Sequence, residues 1–108
     1  MKTNPKNMVR KEKYEIDSIL SIAKSFINSK KSDPLTKVDF DGDFMKMASD
    51  RYKCFVASGT ICVSCGVEGE YFYKEKDHAQ EREIYHFNLY AVDKFGNEIQ
   101  MTKDHIFP

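Results

Sequence analysis

The apolar residues of this chain change their spacing once, at Gly59, and that change limits the fold more than any other feature. Before it they recur at three- and four-residue intervals. Ile16, Ile19, Leu20, Ala23, Phe26 and Ile27 mark one helical stripe within residues 10–31, and Phe44, Met47, Ala48, Tyr52 and Phe55, with the charged Arg51 on the same face, mark a second. Pro34 is expected to stop the first helix near Ser32-Asp33, because proline disfavours helical geometry in the residue before it. Val38 and Phe40 lead into Asp41-Gly42-Asp43, a turn followed by an acidic N-cap, and the second helix is expected to end at Ser58-Gly59. After Gly59 the pattern is that of strands. Tyr71-Phe72-Tyr73 is short and aromatic, and residues 74–83 read as a solvated hairpin loop. From Ile84 to Val92, Tyr85, Phe87, Leu89 and Ala91 alternate with His86, Asn88 and Tyr90. Asp93 to Asn97 supplies a turn, and Glu98 to Thr102 the return strand. The expectation is an α+β fold, two N-terminal helices followed by a small antiparallel β unit, with residues 1–32 a helical segment preceding residues 33–108.

A chain of 108 residues encloses one modest core. Seventeen Lys plus Arg balance seventeen Asp plus Glu, so no nucleic acid is held here by bulk charge, and any polyanion must be gripped locally. No run approaches the ~18 apolar residues of a membrane span, and Met1 to Lys6 has no apolar stretch behind it, which predicts a soluble, cytoplasmic protein. The basic residues Lys2, Lys6, Arg10, Lys11 and Lys13 read as a solvated tail. The aromatics Tyr71, Phe72, Tyr73, Phe87 and Tyr90 read as core rather than as base-stacking platforms.

Of three cysteines, two stand as Cys62-Val63-Ser64-Cys65-Gly66. Two thiolates at this spacing, closed by glycine, can turn round one tetrahedral zinc ion, although a structural site needs four ligands and this is half of one. The plainer alternative is a pair of reduced thiols in a glycine-rich turn. A redox pair is disfavoured, because the following sequence is strand-like rather than helical. Cys54, beside Phe55, reads as a small buried hydrophobe. His86 alternates away from the apolar face and reads as structural.

The chain closes on Lys103-Asp104-His105-Ile106-Phe107-Pro108. A carboxylate is a hard oxygen ligand for magnesium, and an imidazole of pKa about 6.5 can take a proton from water at neutral pH. Together they have the makings of metal-assisted phosphodiester hydrolysis, with His105 activating water and an Asp104-bound ion countering the charge on the phosphate. By itself an Asp-His dipeptide is more often a surface pair. Arg51 and Lys53, near the cysteines, are candidate phosphate contacts, as is Lys103.

The combination of Cys62-Val63-Ser64-Cys65-Gly66, Tyr85-His86-Phe87-Asn88-Leu89-Tyr90-Ala91, Gly96-Asn97-Glu98 and Met101-Thr102-Lys103-Asp104-His105-Ile106-x-Pro108 resembles the first half of an HNH endonuclease of the kind common in tailed phages. The resemblance covers residues 38–108 and takes in Asp41-Gly42-Asp43 and Arg51-Tyr52-Lys53-Cys54-Phe55. It implies a DNA endonuclease acting in the cytoplasm of a bacterial host, with residues 33–108 as a partial HNH domain carrying an incomplete ββα-metal motif. It further implies Asp104 as ligand to Mg2+ or a similar divalent ion, His105 as general base, and Cys62 and Cys65 as half of a structural Zn2+ site. Family members continue into a loop, a strand and a helix that bring a further metal ligand and a second Cys-x-x-Cys, so this chain alone is expected to be inactive. A non-catalytic module, binding nucleic acid or protein through a cysteine-held β unit, is the alternative from another class.

Overall fold

Residues 8–15 are almost all charged or polar, yet they form a strand, because charged partners far along the chain receive them. The computed structural model describes residues 8–64, 66–77 and 84–102. In chain order these are β1 (Met8–Glu15), α1 (Ile16–Lys24), a 3-10 turn (Pro34–Thr36), β2 (Lys37–Phe40), β3 (Asp43–Lys46), α2 (Asp50–Ser58), β4 (Tyr71–Asp77), β5 (His86–Val92) and β6 (Glu98–Met101). The main sheet is antiparallel with order β1-β4-β5-β6, and β2-β3 is a separate hairpin.

This corrects the expected α+β architecture of two helices followed by a small β unit: among the described residues strand predominates, and the fold is mostly β. Two readings account for the difference. The first helix does not begin at Arg10; Met8–Glu15 pairs with β4, with a register shift between Arg10 and Lys13, and the helix is only Ile16–Lys24. The expected second helix divides. Asp43–Lys46 is a strand, and the helix starts at Asp50, where the Ser49 hydroxyl accepts the Tyr52 amide proton. Its end at Ser58, with Gly59 following, agrees with the sequence reading. The basic tail is also corrected in part, since Arg10, Lys11 and Lys13 lie within β1.

The expected strands of the second half are present. Tyr71-Phe72-Tyr73 begins β4, which runs on to Asp77 through residues read as loop, and β5 and β6 close as a hairpin. Asp93 shapes that turn, its Oδ1 accepting the amides of Phe95 and Asn97.

One face of the sheet carries the core. Phe72, Phe87, Leu89, Ala91 and Met101 meet Ile19 and Ala23 of α1, Tyr52 and Phe55 of α2, and Phe40 and Met45 of the hairpin. Phe87 is the hub, with edge-on rings of Phe40 at 4.8 Å and Tyr14 at 5.2 Å. Gly69 is needed where the loop before β4 crosses Leu89, since a Cβ there would sit 2.8 Å from the leucine methyls.

The opposite face is polar but covered. Glu75, fully buried, accepts from Arg10 Nε at 2.6 Å, Asn88 Nδ2 at 2.8 Å and the Tyr90 hydroxyl at 2.6 Å. The Arg10 guanidinium lies 3.7 Å over the Tyr73 ring and 4.9 Å from the Tyr90 ring, and reaches Glu98 on β6 at 3.0 Å. Glu98 in turn accepts from the Tyr71 hydroxyl at 2.6 Å. Burial works against the Arg10 charge, yet its hydrogen bonds to Glu98 and Glu75 hold its pKa above the ordinary arginine value.

Candidate nucleic-acid interface

The hairpin β2-β3 is the element that sequence reasoning missed, and it builds one wall of a cleft. Asp41 and Gly42 form its two-residue turn, both at positive φ (54° and 99°), the backbone that a primed hairpin turn requires. Pairing then sets two faces. Val38, Phe40 and Met45 point to the core, whereas Lys37, Asp39, Phe44 and Lys46 point out. The signal was present: Asp-Gly between two alternating tetrads is a strong short-range hairpin pattern.

The hairpin is fastened from below by Lys74. Its ammonium, fully buried, donates to the Phe40 carbonyl at 2.7 Å and pairs with Glu12 at 2.7 Å and Asp43 at 2.8 Å. The hydrogen bond from Lys74, with a second from Lys11, keeps the Asp43 carboxyl below the usual carboxylate range. Asp43 is therefore a neutralised anion, and Asp39 is engaged too, accepting the Gly42 amide at 2.9 Å.

Between the hairpin and the start of β5 lies a cleft of about 490 Å³ lined by Lys37, Gly42, Asp43, Phe44, Lys46, Ile84, Tyr85 and His86. Phe44 is 70% exposed there. Among the described residues no carboxylate stands within ion-pair distance of Lys37 or Lys46. The charge of the cleft is felt by His86, whose pKa is lowered by burial and then by the positive fields of Arg51 and Lys46. His86 is thus a neutral imidazole at pH 7 beside cations, and it lines the cleft, a setting the strand alternation alone did not reveal.

Arg51 and Lys53 are engaged within the fold. Among the described residues β6 covers only Leu89–Val92, and no strand lies beside the first half of β5 on that side. The start of α2 fills the place: the Tyr52 hydroxyl accepts the Phe87 amide at 2.8 Å, and Arg51 donates to Asn88 Oδ1 at 2.7 Å. Lys53 Nζ donates to the Ser29 carbonyl.

Cys62 is buried at the start of a tight turn. Its amide donates to the Val67 carbonyl at 2.8 Å and its carbonyl accepts from Gly66 at 2.9 Å, with Gly66 at φ 78° and Ile61 bridged to Glu68. This returns the chain on itself over Cys62-x-x-Cys65, and a thiolate pair at that spacing suits zinc. Cys65 lies outside the described residues, as do Lys103, Asp104 and His105. Among the described residues no group of three or more His, Cys, Asp or Glu side chains converges. Cys54 is half-buried on α2.

No protein-family model matches the chain, nor does any curated protein or solved structure. Among the described residues no helix is long and apolar enough to cross a membrane.

Proposed function

We propose that this chain belongs to a metal-dependent DNA endonuclease of HNH type, with phosphodiester hydrolysis as its chemistry. The observation that carries the proposal is Lys103-Asp104-His105-Ile106-x-Pro108 directly following the second strand of an antiparallel hairpin. That strand is well anchored, with Met101 buried against the core and Glu98 held by Arg10 and Tyr71. Among the described strands it is also the edge of its sheet.

In this reading the His105 imidazole accepts a proton from the attacking water. Asp104 supplies a hard oxygen suited to Mg2+ or a similar ion. Such an ion, when bound, contributes positive charge beside the scissile phosphate. Cys62 and Cys65 would hold a structural zinc, for which the Gly66 turn provides the necessary reversal of the backbone. Lys103, next to Asp104 in the sequence, is a candidate phosphate contact.

The test does not require turnover. The 15N-labelled chain is titrated with Mn2+, a paramagnetic stand-in for Mg2+, and amide signals are followed. Selective bleaching of residues 103–106, abolished by Asp104→Asn, is the expected result. Bleaching spread over the acidic surface and unchanged by Asp104→Asn would refute the reading and leave a non-catalytic binding module in its place.

A further inference from the structure

We propose that the cleft between the β2-β3 hairpin and the start of β5 binds single-stranded nucleic acid, with Lys37 and Lys46 holding a phosphate and Phe44 stacking on a base. The proposal rests on the nuclease reading only for the class of polymer; the site itself is argued from other residues.

Lys37 and Lys46 are directly paired across the hairpin, so their Cβ atoms stand roughly 5 Å apart on its outer face. Two ammonium groups rooted that closely repel each other and attract a shared anion. They contrast with Arg10, Lys11 and Lys74, each of which has a carboxylate partner. Of the acidic groups nearby, Asp43 is taken by Lys74 and Lys11, while Asp39 keeps its charge but is tied to the turn by the Gly42 amide.

Phe44 is two residues from Lys46 on the same face, roughly 7 Å along the strand. This is on the scale of the reach from a phosphate to its own base. A ring that is 70% exposed beside lysines with no carboxylate partner among the described residues has the two components of a single-strand site, a cationic track and a stacking surface. The cleft volume of about 490 Å³ falls within the roughly 300–1,000 Å³ of ligand sites and is adequate for a nucleotide unit. A base within a duplex presents only its edges, so stacking on Phe44 selects an unpaired strand. The zero net charge of the chain agrees with a local grip of this kind.

The experiment is fluorescence anisotropy of the full chain with a labelled twelve-nucleotide oligothymidylate at several salt concentrations. Lys37→Gln/Lys46→Gln is expected to weaken binding at least tenfold at low salt and to lower the salt slope by about 0.7, the value for one phosphate contact to a single strand. Phe44→Ala is expected to weaken it roughly five- to hundred-fold. All three side chains are exposed, so the variants keep the wild-type melting curve. In the wild-type protein, the oligonucleotide should shift the amide signals of residues 37–46 and 84–86. Unchanged affinity in the lysine variant, shifts confined to other residues, or heparin binding as tightly and independently of Phe44 would each overturn the proposal. Mn2+ bleaching at residues 103–106, read on the same sample, reports separately on the nuclease reading.

Discussion

Replacing Glu75 by alanine removes the one acceptor shared by Arg10, Asn88 and Tyr90, with contacts of 2.6, 2.8 and 2.6 Å. Asn88 and Tyr90, both nearly fully buried, gain no water in exchange, and the Arg10 side chain is only 20% exposed. Stranding one member of a buried ion pair costs about 3–5 kcal/mol. Arg10 keeps Glu98 as a second partner, which puts the expected loss near the lower end, about 3 kcal/mol. At a urea dependence of about 1.5 kcal/mol per molar, the midpoint falls by ~2 M. Glu75→Gln separates charge from shape. Its oxygen can still accept from Tyr90 and Asn88, but its amide nitrogen faces the Arg10 Nε donor, so a loss of about 1–2 kcal/mol is expected. Urea unfolding followed by circular dichroism is the assay. A midpoint shift under ~0.3 M for Glu75→Ala, with an unchanged slope, would refute the argument that this carboxylate holds the covered polar face together.

Other outcomes follow from single contacts. Tyr52→Phe leaves the buried Phe87 amide without its acceptor; a loss of about 1–3 kcal/mol and faster hydrogen exchange at Phe87 are expected, and unchanged exchange would contradict the edge-filling role of α2. Gly66→Ala has open space for its methyl but a φ of 78°, so the cost is purely backbone, about 1–2 kcal/mol by thermal melting, and a neutral variant would disprove the turn geometry. His86 should titrate below the ordinary histidine value of about 6.5. As pH falls through 6.5 the unfolded chain takes up this proton before the folded one, so the contribution to stability is present above that pH and is lost below it. An NMR midpoint for the His86 ring at or above 6.5 would count against a cationic cleft.

The legible parts of the sequence were those set by neighbours in the chain. The alternation of Tyr85, Phe87, Leu89 and Ala91, the Asp93 turn and the Gly59 helix end are local, and the structure has them. The misread parts are non-local. Residues 10–15 carry no apolar period of their own, and were absorbed into the stripe beginning at Ile16. They are a strand because Arg10 finds Glu75 and Glu12 finds Lys74, more than sixty positions away. For the same reason Lys74 and Glu75, read as solvated loop, are the most buried charges described. At Phe44, a three-residue interval to Met47 imitated a helix, although Phe44 faces solvent from a strand and Met47 lies in the core. Tyr90 is buried, as its reading as core requires, and with Asn88 it is covered by the arginine and tyrosines of other strands, which alternation within β5 does not show. Of the candidate site, Cys62 lies in a tight turn as its spacing required, whereas the lysine and phenylalanine of the hairpin face became visible only once pairing was known.

The guanidinium of Arg10 crosses the sheet from one margin to the other and ends on a residue 88 positions later. Beginning and end of the chain are thereby one mechanical unit. Trimming the protein just past residue 10 would loosen Glu98–Met101 without touching it, since one of the two side chains that hold Glu98 would be gone.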